Sequence, residues 1–314
     1  MTQTLDETAR GVYIISATPF TDTGELDLES ADSLVEFYLE KGVTGMTILG
    51  MMGEAPKLAP DESVTFLEHM LNRVNGRVPV IVGVSSPGLD NMARLCNAAM
   101  DAGAGGVMIA PSGGLTTEDK LYRYYAQVFE KLGPDIPVCY QDFPMTTGVN
   151  ISTQLFNRLV ADFPQLVMLK HEDWPGLNKL TAVRKMETDN GTRRVSILTG
   201  NGGLFLPMEL ERGADGAMTG FAYPEMLVSV VDLHNDGERQ RANDVFDAYL
   251  PLVRHEQQLG AGLAIRKEIL RRRGAITCAA TRAPGPRLSP ADHDDISFLT
   301  ARLEQRIKEL GDGS

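Results

Sequence analysis

Short runs of apolar residues alternate with longer amphipathic stretches along most of this chain. Eight such runs stand at residues 12–18, 46–50, 79–84, 106–111, 136–141, 166–170, 195–200 and 216–220. Each run is short, rich in Val, Ile, Leu and Met, and continuous rather than alternating, which is typical of a strand covered on both faces. The pattern therefore predicts eight strands of a parallel sheet.

Helical patterns lie between the strands. They include residues 30–41, 91–102, 119–132 and 204–212, each followed by a glycine, as expected at a helix C-terminus. Eight strands alternating with helices predict an α/β protein of the (β/α)8 TIM-barrel type. The alternative, a doubly wound open sheet, would show a Gly-rich turn after the first strand. This chain has Thr18-Pro19-Phe20 there.

Beyond Gly220 the pattern becomes purely helical. Helical periodicity runs over residues 226–235, 239–258, 262–273 and 292–310, with a Pro/Gly-rich stretch at 282–290. We expect the first of these helices to close the barrel. The predicted organisation is a barrel over residues 1–235 and a helical C-terminal extension over residues 236–314.

Composition and charge narrow the class of protein. The 314 residues carry a net charge of −12, which argues against nucleic acid or an anionic membrane as a partner. The first ten residues lack the apolar core of a signal peptide, and no apolar run is long enough to span a bilayer. Cys96, Cys139 and Cys278 lie far apart, without metal-ligand spacing. These features predict a cytoplasmic protein.

Lys170 is the first candidate for chemistry, because it ends the sixth predicted strand, LVMLK. The active site of this fold lies at the C-terminal ends of the strands. Partial desolvation there disfavours the ammonium, and a neutral amine can condense with a ketone. A lysine that merely leaves the strand to face water is the alternative.

Tyr140 ends the neighbouring fifth strand, so we expect it to share the barrel mouth with Lys170 and to shuttle a proton there. A structural tyrosine in the core or at the rim is the alternative. His171, Glu172 and Asp173 are consecutive and cannot all face one point on a strand. We therefore favour hydrogen-bonding roles for them and predict that no metal is required.

A glycine-containing turn, Gly50-Met51-Met52-Gly53-Glu54, follows the second strand. Its backbone N–H groups could hold an anion such as a carboxylate. Taken with Thr18-Pro19-Phe20, VCYQDFP around Tyr140 and LVMLKHED around Lys170, this turn makes the sequence resemble the dihydrodipicolinate synthase / N-acetylneuraminate lyase family of class I aldolases.

The resemblance implies specific roles. Lys170 would be the Schiff-base lysine and Tyr140 the catalytic tyrosine. Met51 and Met52 would bind the substrate carboxylate through their backbone, and Gly200 and Met218 would line the pocket floor. No cofactor would be needed, because the covalent imine to Lys170 is the electron sink. A homo-oligomer, a tetramer or a dimer, is also implied.

Departures from the family motifs narrow the activity. The family motif GTTGE here has Met51 and Met52 in place of two threonines, so the hydroxyl relay is missing. The loop at 112–114 lacks the tyrosine, and the loop at 143–148 lacks the arginine, of the synthases. This chain is therefore not expected to be a true dihydrodipicolinate synthase.

The C-terminal third resembles the L-2-keto-3-deoxyarabonate dehydratases, in segments 213–220, 249–256 and 267–271. That subgroup does not keep a tyrosine where Tyr140 stands. We therefore expect a Schiff-base lyase that acts on a small 2-oxo acid. Of its possible reactions we favour the dehydration of a 2-keto-3-deoxy sugar acid or related compound. A pyruvate-dependent aldolase, including the hydratase-aldolase type, and a non-catalytic metabolite-binding barrel remain alternatives.

Overall fold

The computed structural model describes residues 3–312 and contains a closed barrel of eight parallel strands. Each strand pairs with the next, and β8 pairs with β1, which confirms the predicted TIM barrel. The strands are β1 Gly11–Ile15, β2 Gly45–Ile48, β3 Val80–Gly83, β4 Gly106–Ile109, β5 Val138–Asp142, β6 Leu166–His171, β7 Ser196–Thr199 and β8 Gly216–Ala217.

Helices surround the barrel and continue beyond it. They are α1 Leu28–Glu40, α2 Pro60–Val74, α3 Leu89–Asp101, α4 Glu118–Leu132, α5 Pro144–Thr147, α6 Thr153–Asp162, α7 Leu177–Asn190, α8 Leu206–Glu211, α9 Pro224–Asn235, α10 Arg239–Glu256, α11 Gly262–Arg272 and α12 Pro290–Asp312. Helix α9 packs on β1 and β8, and α10 packs on α9 and α12. The predicted boundary after residue 235 coincides with the end of α9.

Two apolar clusters lie on opposite sides of the strands. The inner cluster fills the barrel with side chains such as Tyr13, Ile81, Met108 and Leu198. The outer cluster is larger and lies between the strands and the helices. Because successive side chains of a strand point to opposite faces, β1 and β3 to β7 contribute to both clusters.

The C-terminal extension is joined to the barrel by buried charges. Lys267 of α11 is fully buried, and its Nζ lies 2.6 Å from Oε1 of Glu54 in the loop after β2. The Glu54 carboxylate also accepts from Lys57 Nζ and from the backbone N–H of Arg282. The extension therefore supports the loop in which a carboxylate site is expected. None of the helices within residues 3–312 is long and apolar enough to cross a membrane.

Candidate active site

Lys170 lies near the C-terminal end of β6 with only 4% of its surface exposed. Of the two residues that precede it in the strand, Met168 belongs to the inner cluster and Leu169 to the outer one. Lys170 therefore has the same orientation as Met168 and faces the barrel interior. This is the position and burial expected for an amine at the barrel mouth.

Two polar side chains converge at Lys170. Oε2 of Glu172 lies 3.0 Å from Lys170 Nζ, and the same oxygen accepts a hydrogen bond of 2.8 Å from Nε2 of Gln141. Gln141 is the residue of β5 that pairs with Lys170 across the sheet. The mouth thus contains an amine, a carboxylate and an amide in direct contact, all nearly buried.

Gly200 and Met218 are the residues predicted to line the pocket floor. Met218 is fully buried in the inner cluster. Gly200 follows β7, and a Cβ added to it would lie 2.5 Å from Oε1 and 2.6 Å from the carboxyl carbon of Glu172. Because Gly200 has no side chain, the Glu172 carboxylate can occupy the space beside it.

The structure does not bring Tyr140 to Lys170. Tyr140 pairs in register with Leu169, and its ring lies in the outer cluster, 4.8 Å from the ring of Tyr125 and 5.9 Å from that of Phe156. The hydroxyl is buried and, within the described part of the chain, has no hydrogen-bond partner. The expectation that Tyr140 shares the mouth with Lys170 was wrong, because strand alternation turns Cys139 and Gln141 inward and Tyr140 outward.

Burial raises the pKa of Tyr140 well above its ordinary value, and the charge of Asp142 adds to this effect. A tyrosine in that environment stays protonated at neutral pH. The β5 side chain that reaches the Lys170–Glu172 pair is that of Gln141, which the sequence analysis did not single out. Alternation along β5 requires that Tyr140 and Gln141 point to opposite faces. A strand that is buried on both faces does not show which of the two residues points inward.

A second polar group lies behind β6, on the side of the helices. Lys179 Nζ is 2.6 Å from Asp142 Oδ2 and 3.1 Å from Asp173 Oδ2, while His171 Nδ1 is 3.8 Å from Asp142 Oδ2. Burial acts to lower the pKa of His171, but the Asp142 carboxylate and the Gly176 carbonyl outweigh it, and the pKa is raised. These residues support the strand from outside.

No metal-type cluster of three or more His, Cys, Asp or Glu side chains occurs within residues 3–312. His171 and Glu172 face opposite sides of the strand, as their consecutive positions require. Cys139 faces the barrel interior, where burial raises its pKa to about 12. That thiol behaves as a small apolar side chain.

The loop after β2 offers unused backbone donors. Gly53 N–H bonds to the Gly50 carbonyl and Glu54 N–H to the Met51 carbonyl. Among the described residues, no acceptor faces the N–H of Met51 or Met52. Two adjacent free amides beside a barrel mouth suit a carboxylate.

A cavity of about 510 Å³ extends from this loop to Gln141. Its walls include Met51, Pro56, Leu95 and Met108, together with the serines at 63, 85 and 86, and its described lining contains no charged side chain. The cavity can therefore hold an uncharged portion of a substrate beside the Gln141–Glu172–Lys170 group.

The chain is similar to known proteins over most of its length. The model of the dihydrodipicolinate synthetase family matches residues 8–304. The L-2-keto-3-deoxyarabonate dehydratase of Azospirillum brasilense is 30% identical over 317 residues, covering 98% of each chain. A 4-hydroxy-tetrahydrodipicolinate synthase of Methanococcus maripaludis is 27% identical and covers 78% of this chain and 82% of its own.

A solved structure is similar over nearly the whole chain. The dihydrodipicolinate synthase of Rhodopseudomonas palustris superposes with a TM-score of 0.93 at 46% identity, covering 95% of this chain and 99% of that one. The enzyme from Thermotoga maritima superposes with a TM-score of 0.84 at 26% identity, covering 95% and 99% of the two chains. The barrel and the C-terminal helices are thus common to these proteins.

Proposed function

Because the chain belongs to the dihydrodipicolinate synthetase family, whose members are lyases, we propose that it forms a Schiff base between Lys170 and the C2 ketone of a small 2-oxo acid. One observation carries the proposal. Lys170 is buried, faces the barrel interior and lies at the end of the strands where this fold places its active sites.

The surroundings of Lys170 suit each part of such a substrate. The free amides of Met51 and Met52 would hold the C1 carboxylate, and the adjoining apolar cavity would hold the rest of the molecule. The protonated imine withdraws electrons from the bonds beside C2, so that a C3 proton or the C3–C4 bond can be broken. No metal or cofactor enters this scheme.

We favour dehydration of a 2-keto-3-deoxy sugar acid or a related compound. The full-length similarity to a protein named L-2-keto-3-deoxyarabonate dehydratase supports this choice. The related compound could be an aryl or aliphatic 2-oxo acid, because the adjoining cavity is largely apolar.

Aldol cleavage or condensation is the second candidate, because the same imine supports it and several relatives are named synthases. Synthesis of dihydrodipicolinate itself is not proposed. The loop at 143–148 contains no arginine for the second carboxylate of that reaction, and the loop at 112–114 contains no tyrosine.

Borohydride trapping with pyruvate tests the proposal. We expect the peptide that contains Lys170 to gain the mass of the reduced pyruvyl adduct, and Lys170→Ala to abolish both the adduct and turnover. A wild-type protein that gains no mass would favour the non-catalytic binding barrel. A panel of 2-oxo acids, with mass detection of water loss against cleavage, would then separate dehydratase from aldolase.

We also propose that the protein is a homo-oligomer, a tetramer or a dimer. Exposed Trp174 and Met208 flank an apolar groove that includes Phe205 and Leu250, and such a groove suits a second copy. The loop at 112–114 contains no tyrosine that could reach the site of a neighbouring copy, so each protomer should form the imine alone. Light scattering that reports a monomer at micromolar concentration would contradict the assembly.

A further inference from the structure

The Glu172 carboxylate is buried against Lys170 and Gln141 and does not extend into solvent. Glu172 lies two residues after Lys170, so both side chains are on the same face of the strand. Its side chain is only 9% exposed, and Oε2 contacts Lys170 Nζ at 3.0 Å and Gln141 Nε2 at 2.8 Å. Because Oε1 has no such partner within the described residues, one oxygen remains available for a substrate proton.

The backbone and neighbours of Glu172 hold the carboxylate in this position. Its N–H donates to the Asp142 carbonyl, and its own carbonyl accepts from Asn201 Nδ2. Gly200 packs so closely that no side chain could stand beside the carboxyl group. A carboxylate fixed by contacts on several sides is pre-organised for proton transfer.

Other groups that could move protons at Lys170 are excluded by position. Tyr140 and His171 face the helices, and Met51 and Met52 have no hydroxyl. Across residues 3–312, Glu172 is the one carboxylate within 4 Å of Lys170 Nζ, and the Cys139 thiol, which also faces the interior, has a pKa raised to about 12 by burial. Imine formation requires that a proton leave the amine, and a carboxylate in contact with Nζ is placed to accept it.

We propose that Glu172 is the catalytic acid–base residue of the Schiff-base reaction, a role that rests on the function proposed above. The Lys170 ammonium gives a proton to the Glu172 carboxylate, and the neutral amine attacks C2 while its proton passes to the carbonyl oxygen. Protonated Glu172 then gives its proton to the carbinolamine hydroxyl, which leaves as water. A protonated imine and a carboxylate remain, still paired.

The same carboxylate then serves the next step. It takes a proton from C3, and the electron pair of that bond forms the C2–C3 double bond of an enamine. In dehydration, Glu172 returns this proton to the C4 hydroxyl, which leaves as water while a C3–C4 double bond forms. In the aldol alternative, the carboxylate takes the C4 hydroxyl proton as the C3–C4 bond breaks and its pair remains in the enamine.

Exchange of the methyl protons of pyruvate in D2O, followed by proton NMR, measures the C3 step without knowledge of the natural substrate. We expect wild-type protein to catalyse exchange and Glu172→Gln to slow it by about 10²–10⁴-fold. Glu172→Asp should exchange faster than Glu172→Gln, since it keeps the carboxylate. If the residue were merely structural, the order would be reversed, because glutamine matches glutamate in size and aspartate does not.

Asp173→Asn is the matched control, because the Asp173 carboxylate contacts Lys179 and the Trp174 N–H instead of Lys170. It should exchange at about the wild-type rate. Borohydride trapping separates the two proposals. If wild-type protein forms no adduct at Lys170, the Schiff-base function fails. If the adduct forms and Glu172→Gln exchanges as fast as wild type, or Tyr140→Phe alone loses exchange, the role of Glu172 is overturned.

Discussion

Replacing Gly200 by alanine tests the arrangement of the mouth without removing any polar group. The new Cβ would lie 2.5 Å from Oε1 of Glu172, where an ordinary contact needs at least about 3.4 Å. The carboxyl group therefore has to retreat by about 0.9 Å. That movement competes directly with its contacts at 3.0 Å to Lys170 and 2.8 Å to Gln141.

Misplacement of a catalytic group by about 1 Å can lower a rate by roughly 10²-fold, and we expect a loss of that size in pyruvate exchange for Gly200→Ala. Overpacking should also lower the free energy of unfolding by about 1–3 kcal/mol. Exchange measured by NMR and urea unfolding report the two effects separately. Imine trapping should become slower, because Glu172 also serves imine formation, but the adduct should still form, because Lys170 itself keeps its position.

Gly202→Ala is a poor control, because a Cβ there would overlap the Gln257 side chain at positive φ. Gly88→Ala is better, since the nearest atom to its Cβ is 3.7 Å away. It should leave exchange unaltered. If Gly200→Ala is folded and exchanges pyruvate protons at the wild-type rate, then the close contact between Gly200 and Glu172 does not govern the chemistry, and our reasoning fails.

Three further predictions concern groups around the site. Tyr140→Phe removes a buried hydroxyl that has no partner in the described chain, so exchange should stay within a few-fold of wild type and unfolding stability should be equal or higher, by up to about 1 kcal/mol. A 10²-fold loss would restore Tyr140 as the proton shuttle. EDTA should leave activity unchanged, because the imine is the electron sink; activity that returns only with added metal would contradict this. Burial raises the pKa of Glu209 from 4.5 to about 7, so the folded protein binds this proton more tightly than the unfolded chain, and stability falls as the pH rises through that window. Glu209→Gln should therefore gain stability relative to wild type between about pH 4.5 and 7, by up to roughly 3 kcal/mol, and a pH-independent difference in urea unfolding would refute the assignment.

The fold could be predicted from the sequence because its signals are local. Continuous apolar runs show strands buried on both faces, and glycines mark the ends of several helices between them. The structure adds helices α2, α6 and α7, which we did not predict. β8 is only two residues long, although the predicted run extends over residues 216–220.

The position of Lys170 at the end of a strand could also be predicted from the sequence, because the apolar run before it indicates where the strand ends. The side-chain direction on the neighbouring strand could not. Every residue of VCYQD is buried, so burial does not show which side chains point into the barrel. The family motif favoured Tyr140 over Gln141. The pairing of Gln141 with Lys170 is a property of the register between two strands.

The sequence by itself thus determined the barrel, the helical extension and the lysine, since strand and helix periodicities and strand ends are encoded within short segments. Only the tertiary structure decided which side chains meet that lysine. Gln141 and Glu172 are 31 residues apart, and Lys267 reaches Glu54 across 213 residues. Such contacts depend on strand register, on the closure of the barrel and on the space beside Gly200. A pattern within a short segment of sequence determines none of these three properties.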